Sequence, residues 1–304
     1  MKEKTNILIT GASGLTGQHL ISKICKSSCY SDKQLILTMH LNRPRIAKNT
    51  DAFKLTNPVD LTCISSWTKL LEEYLPNTIV VLSNIRHSRP LLSAISLIRD
   101  SSYLPRLIIV GTTGVFSSYK SYSDEYKLIE TKISSYKGDV LLLRPSMIYG
   151  SSRDKNMHKV IAFVNKWGFF IVFGSGTGLV QPVYYKDLSW LLFQSLLHPS
   201  LNGTFNVPGK YAITYHEMLQ IIFHALNKPF RIMKVPLFAA KHIALLLSHA
   251  PCIKPPFSLE QVERTQEDKI FSYHTTQAVF HYNPTSFADG IKLQIISEHN
   301  YVPL

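Results

Sequence analysis

The chain has 304 residues, 45% of them hydrophobic and 17% charged. That content supports a large buried core, and it excludes the low-hydrophobicity, high-charge regime of disordered chains. Thirty-three basic residues against 20 acidic ones give a formal charge of +13. The excess suits anionic ligands. The basic residues are scattered, with no tract of five and no basic-aromatic repeat, so no nucleic-acid footprint is expected.

The first half alternates short apolar runs with helical stretches. Strands are expected at Asn6–Thr10, Gln34–Met39, 52–55, 78–82, Arg106–Val110 and 140–143. Helices are expected at Leu15–Lys26, Ile64–Tyr74, 90–99 and 122–134. Continuous apolar strands separated by helices predict an α/β fold, a doubly wound parallel Rossmann sheet covered on both faces. The second half is less regular. Helical patterns at 156–166, 187–197, 215–226 and 238–247 are broken by glycines and prolines. The stretch 236–250 reads first as a packed helix and second as an interfacial membrane helix. No run of about 18 apolar residues exists.

The four cysteines, Cys25, Cys29, Cys63 and Cys252, form no C-x-x-C pair, so free thiols in a reducing compartment are expected. No targeting segment is read at the start, and the expected location is cytoplasmic.

The most informative segment is NILITGASGLTG, from Asn6 to Gly17. A strand runs directly into Gly11, Gly14 and Gly17, and a helix follows. The turn must be tight and the backbone must approach a diphosphate closely. The helix N-terminus then offers free N–H groups to the anion. Ser13, Leu15 and Thr16 complete the turn. The loop is not a Walker A motif, because no Gly-Lys-Ser/Thr follows. After the second strand no carboxylate is present to meet a ribose 2′-hydroxyl. Arg43 and Arg45 stand there instead, and arginine forks suit a 2′-phosphate. NADP(H) is therefore favoured over NAD(H); solvated loop cations are the alternative for both arginines.

The spacing Thr10-Gly11-x-x-Gly14-x-x-Gly17 resembles that of the extended short-chain dehydrogenase/reductases, the nucleotide-sugar epimerase and dehydratase family. Further segments are similar in the same order. Asp60 and Leu61 lie in the family's adenine-contacting segment, and Ser83 and Asn84 where the cofactor is lined after the fourth strand. Thr112 stands at the catalytic Ser/Thr position. Pro145 and Met147 belong to the turn beside the nicotinamide, and resembling stretches continue through 181–188, 203–207 and 280–291. The resemblance covers nearly the whole chain. It implies an NAD(P)-binding Rossmann domain over 1–150 and a smaller, interleaved C-terminal substrate-binding region over 151–304, with roughly 180–208 returning to the Rossmann domain. It further implies a nucleoside-diphosphate sugar as substrate and leaves a homodimer open.

Family chemistry uses a tyrosine as acid/base, with a lysine four residues later lowering its pKa from near 10. Tyr122 is the natural tyrosine. If Glu130 matches the family's later helical Glu, positions 122, 126 and 130 share one helix face. Position 126 is Tyr126, and the available lysine is Lys127, about 100° around the helix. The motif is broken, and the loop from Thr112 to Tyr122 is short for the family. Three outcomes stay open: Tyr122 or Tyr126 works with a displaced Lys127, another residue is the acid/base, or hydride chemistry is lost. Thr113 and Gly114 follow Thr112 where a dehydratase places Asp and Glu, so epimerase or ketoreductase is preferred. The alternative function is a catalytically silent NADP(H)-binding subunit or redox sensor.

No metal motif is found among the 12 histidines and no G-x-S-x-G elbow is present. Thr112 also reads as a simple strand-end cap. Arg153 and Lys155, in the loop after the nicotinamide turn, read equally as substrate-phosphate contacts or as solvated residues. Gly174 to Gly178 reads as a substrate-side loop or a flexible turn.

Overall fold

The computed structural model describes residues 5–30, 33–39, 53–100, 102–154, 156–239 and 267–299. Strands β1 (Asn6–Thr10), β2 (Gln34–Met39), β3 (Phe53–Pro58), β4 (Thr78–Val81), β5 (Arg106–Val110), β6 (Val140–Pro145) and β11 (Gly203–Val207) form one sheet, ordered β11-β6-β5-β4-β1-β2-β3. Every neighbouring pair in it is parallel. The chain winds outward from β1 through β3, then returns to β4 on the other side of β1. The switch point therefore lies between β1 and β4, where α/β sheets open a crevice at their carboxyl ends.

Alternation along the strands sorts the core into two layers. Ile7 and Ile9 of β1 face one side with Leu20, Ile21 and Ile24 of α1 (Leu15–Lys26) and Leu188, Leu191 and Leu192 of α6 (Tyr185–Leu197). Leu8 faces the other side, against Trp67, Leu70 and Leu71 of α2 (Ile64–Tyr74), Leu91 of α3 (Ser88–Leu97) and Ile129 of α4 (Lys120–Ser134). All of these are 4% exposed or less. Each fully buried aliphatic side chain contributes roughly 1.5–3 kcal/mol. Trp67 keeps its polar end satisfied, its Nε1 donating to Leu61 O at 2.9 Å.

Arg106 ties the layers together. It is 8% exposed, and its guanidinium donates to Ser195 O (2.7 Å) and Leu201 O (2.6 Å), at the C-terminal end of α6. A cation there complements the carbonyl end of the helix.

The second half adds short strand pairs and helices. β7 (Ile148–Tyr149) pairs with β10 (Val183–Tyr184), β9 (Leu179–Val180) with β12 (Ile213–Thr214), and β8 (Phe170–Phe173) with β13 (Ile232–Val235). Helices α5 (Met157–Trp167), α7 (Tyr215–Ala225) and α9 (Phe287–His299) enclose a third core of Tyr149, Ile161, Met218, Ile222, Phe287 and Ile291. A shorter helix, α8 (His274–Phe280), lies against β11. Thr214 and Glu217 start α7 with a reciprocal capping box. Among the described residues no helix is long and apolar enough to cross a membrane. Residues 240–250, which include most of the stretch read as a packed or interfacial helix, lie outside the described residues, as does Cys252.

Candidate functional site

The glycine-rich segment folds into the turn its spacing predicts. Gly11 follows β1 with φ +69°, and a Cβ there would sit 2.7 Å from Ser83 N and 2.9 Å from Leu82 C. The backbone of the β4 loop therefore packs against Gly11 itself. Gly17 is as constrained: a Cβ would meet Gly11 O inside van der Waals contact and Ala12 Cα at 3.0 Å. Between them Gly14 donates to Gly11 O at 2.9 Å and caps α1 in extended conformation. That cap brings no side-chain hydrogen bond, and the first turn of α1 carries no acidic residue. The orphan N–H groups and the positive end of the helix dipole thus lie at the turn without a counter-charge from the first turn of the helix.

Thr10, fully buried, stitches the two strand ends together. Its Oγ1 accepts from Leu82 N at 3.2 Å and lies 3.0 Å from Ser83 Oγ. Ser83 Oγ is in turn 2.7 Å from His87 Nδ1. Asn84 is exposed, and its Oδ1 accepts from Arg86 N at 3.0 Å, starting a short 3₁₀ turn. Ser13, Leu15 and Thr16 are half-buried on the turn. Asp60 Oδ1 accepts from Thr62 N (2.9 Å) and Thr62 Oγ1 (2.7 Å), and Leu61 is buried in the core beside it. Arg43 and Arg45, the basis for favouring NADP(H), lie outside the described residues.

The catalytic candidates sit at the ends of β5 and β6. Thr112 Oγ1 accepts from Gly114 N at 3.0 Å, the bond of a strand-end cap. Buried Thr113 reaches Pro145 O at 3.4 Å, and Met147 packs on the third core. Tyr122 lies in the first turn of α4; the described side chains of that helix begin at Ser123. Ser123 is fully buried, and its hydroxyl has no hydrogen-bond partner. Glu130 is held by Arg144 of β6: Arg144 Nε lies 2.9 and 3.1 Å from its two carboxylate oxygens, and Arg144 Nη2 reaches Oε2 as well. This pair fixes the rotation of α4. Tyr126 therefore faces inward, half-buried, with the Arg86 guanidinium 5.4 Å from its ring centroid. Lys127 turns outward, exposed, and pairs with Asp124 at 3.6 Å. The structure thus brings Gly11, Gly14, Gly17 and Ser83 together, and it separates Lys127 from the face of position 126.

Three contacts escape sequence reading. His87 falls four residues after Ser83, a spacing that hints at the contact. Arg86 donates to both oxygens of Glu125, from Nε at 2.8 Å and Nη2 at 2.5 Å. Glu267 accepts from Ser118 N (2.7 Å) and from Ser117 Oγ (2.9 Å), fastening the later chain over the loop that follows Thr112. Burial works against that carboxylate, yet the bonds from Ser118 and Ser117 hold its pKa below the usual range. Among the described residues no group of three His, Cys, Asp or Glu side chains is placed to hold a metal ion.

A seven-stranded parallel sheet with a glycine turn at its switch point is a doubly wound, Rossmann-like architecture, in which ligands sit at the carboxyl ends of the strands. The chain shares its fold with solved nucleotide-sugar epimerases and a dehydratase. UDP-glucose 4-epimerase of Thermotoga maritima, solved with UDP-glucose, superposes with a TM-score of 0.70 at 14% identity over 97% of this chain and 99% of that one. UDP-glucuronic acid 4-epimerase of Bacillus cereus, in complex with NAD, gives 0.71 at 16% over 97% and 99%. dTDP-glucose 4,6-dehydratase of Bacillus anthracis, in complex with NAD, gives 0.71 at 15% over 97% of both chains. By sequence, the mitochondrial NADH dehydrogenase (ubiquinone) 1 alpha subcomplex subunit 9 of Arabidopsis thaliana is 27% identical over 143 residues, 44% of this chain and 35% of that protein. The match thus spans about a third of that relative's length. No family model matches the chain.

Proposed function

We propose that the chain binds a nicotinamide dinucleotide, NADP(H) in preference to NAD(H), and acts as an epimerase or ketoreductase on a nucleoside-diphosphate sugar. The observation that carries this reading is the cradle at residues 11–17, which has no room for a Cβ at either of its two critical glycines. The NADP(H) preference rests on Arg43 and Arg45 in the sequence. The relatives of like fold bound to NAD or to UDP-glucose support the general kind of ligand. Residues 151–304 form the substrate side in this reading, and the pairing of β11 with β6 supports a return of roughly 180–208 to the Rossmann unit.

When bound, the nicotinamide accepts and returns a hydride. The chain's own residues supply the proton handling. Tyr122 exchanges a proton with the sugar hydroxyl, and Thr112 shares that hydrogen bond. Elimination of water is disfavoured, since Thr113 and Gly114 occupy the places of the needed carboxylates.

One observation favours a second reading, a catalytically silent NADP(H)-binding subunit or redox sensor. Tyr126 occupies the position of the lysine, and Lys127 points to solvent. An unassisted phenol keeps its proton at neutral pH. The two readings separate in one experiment: cofactor affinity by calorimetry, then nicotinamide absorbance with a panel of nucleotide sugars. An enzyme changes the redox state of its nicotinamide with at least one sugar, and Tyr122→Phe lowers that rate by at least about 10²-fold. Full activity in Tyr122→Phe rejects the residue assignment. Binding without turnover on any sugar selects the silent reading, and absence of any cofactor affinity rejects both.

A further inference from the structure

We propose that Arg153 is a ligand of the dinucleotide's diphosphate, carried onto the glycine-rich turn from the second half of the chain. The proposal rests on the nicotinamide-dinucleotide reading above and names a residue that lies more than a hundred positions from the glycine motif.

Arg153 spans the entry to α1. Its Nη1 donates to Gln18 Oε1 at 2.6 Å, and its Nη2 donates to Ser13 O. The guanidinium thus bridges the turn and the first turn of the helix. Of its five N–H donors these bonds use two, and the remaining fork matches phosphate oxygens.

The electrostatics point the same way. A cation beside a helix N-terminus is unfavourable unless an anion joins it. Among the described residues no carboxylate pairs with Arg153, and α1 has no acidic residue in its first turn. The guanidinium therefore stands at this end of α1 with no counter-charge from the first turn of the helix, and a diphosphate supplies what is missing.

The arginine is also presented by a built loop. Asp154 N donates to Ser151 O at 3.0 Å, closing a turn, and Arg153 N donates to Ser151 Oγ at 3.2 Å. Fully buried Gln294 of α9 fastens the turn from below, its Nε2 lying 3.1 Å from Ser151 O and 2.7 Å from Asp154 Oδ2. A guanidinium held this way loses little further freedom on binding. Arg153 itself is exposed, so its remaining donors are open to a ligand.

The test is calorimetry on the full chain with NADPH, NADH and ADP, comparing wild type with Arg153→Gln, Arg153→Lys and Gln18→Leu. Thermal denaturation of each variant checks folding. The expected result is at least a tenfold loss of affinity for all three ligands in Arg153→Gln, partial recovery in Arg153→Lys, and less than a threefold change in Gln18→Leu. Wild-type affinity in Arg153→Gln overturns the proposal. So does an equal loss in Gln18→Leu, which would make Arg153 a brace for the turn and not a ligand. Failure of the wild type to bind any of the three ligands rejects the cofactor reading itself, a result distinct from either of these.

Discussion

Replacing Gly11 with alanine should damage both the fold and the cradle, and the size of the effect follows from two separable causes. The first is conformational: φ +69° costs an alanine about 1–2 kcal/mol relative to its preferred backbone. The second is steric. The new Cβ lies 2.7 Å from Ser83 N and 2.9 Å from Leu82 C, both backbone atoms of the neighbouring strand's loop. Such overpacking costs about 1–3 kcal/mol. The sum is about 2–5 kcal/mol, a large part of a domain's total stability. Two controls isolate the causes. Gly168 has φ +71° with nothing within 4 Å of its Cβ position, so Gly168→Ala should lose about 1–2 kcal/mol from conformation alone. Gly14 has φ −69° with Gly11 O at 3.1 Å, so Gly14→Ala should cost less than about 1 kcal/mol. Urea denaturation gives the three values, and calorimetry gives cofactor affinity. A Gly11→Ala protein no less stable than Gly168→Ala would refute the close packing of β1 and β4 ends.

The remaining expectations concern charge. Burial, then Lys23, Lys186 and Lys26, push the His19 pKa down from 6.5 to about 4. The unfolded chain therefore binds this proton first, and the stability present at neutral pH is lost as pH falls from about 6.5 towards 4. His19 is only half-buried, so solvent screening holds the loss to about 1–2 kcal/mol. His19→Gln should flatten that part of the pH–stability curve, checked by urea midpoints at neutral and acid pH. Glu130→Gln should cost about 3 kcal/mol, the low end for a broken buried pair, because the Arg144 side chain keeps 21% exposure. A double-mutant cycle with Arg144→Met should recover part of the loss. Tyr126→Lys restores a lysine four residues after Tyr122. If the missing cation limits hydride transfer, single-turnover rates should rise by at least about tenfold, and an unchanged rate would remove that explanation.

Where the chain's own pattern is strong, the fold is legible. β1, α1, β2, α2 and β5 begin and end where apolar runs and amphipathic stretches do. β3 is read at 52–55 but spans Phe53–Pro58, because an edge strand with exposed Lys54, Leu55, Asn57 and Pro58 has no apolar run to mark it. The helix read from residue 90 starts at Ser88, with Pro90 inside its first turn, where no intrahelical N–H bond is lost. β7, β9, β10 and β12 are two residues each, too short for any period to show. The glycine cradle is legible because its constraints lie within a dozen residues. The contacts of Glu267 with Ser117 and of Arg153 with Ser13 join residues 150 and 140 positions apart. Nothing local in the sequence encodes such pairings.

The defect in the catalytic motif is spatial as well as textual. Lys127 stands one residue from the place where a lysine belongs, and a helix converts that step into about 100° of rotation. Turning α4 by that angle would bring Lys127 inward. It would also carry Glu130 away from Arg144 and pull Ile129 and Ile133 out of the core. The broken ion pair alone costs about 3 kcal/mol, before the apolar losses are counted. No hydrogen bond from a single ammonium to a ribose or phenol offsets both losses, since charged hydrogen bonds contribute about 1.5–3 kcal/mol net. The helix is therefore locked in a rotation that excludes its own lysine. Arg86, the described cation stacked on Tyr126, pairs with Glu125. The lock that preserves the fold is thus the physical reason the silent reading stands as a rival to catalysis.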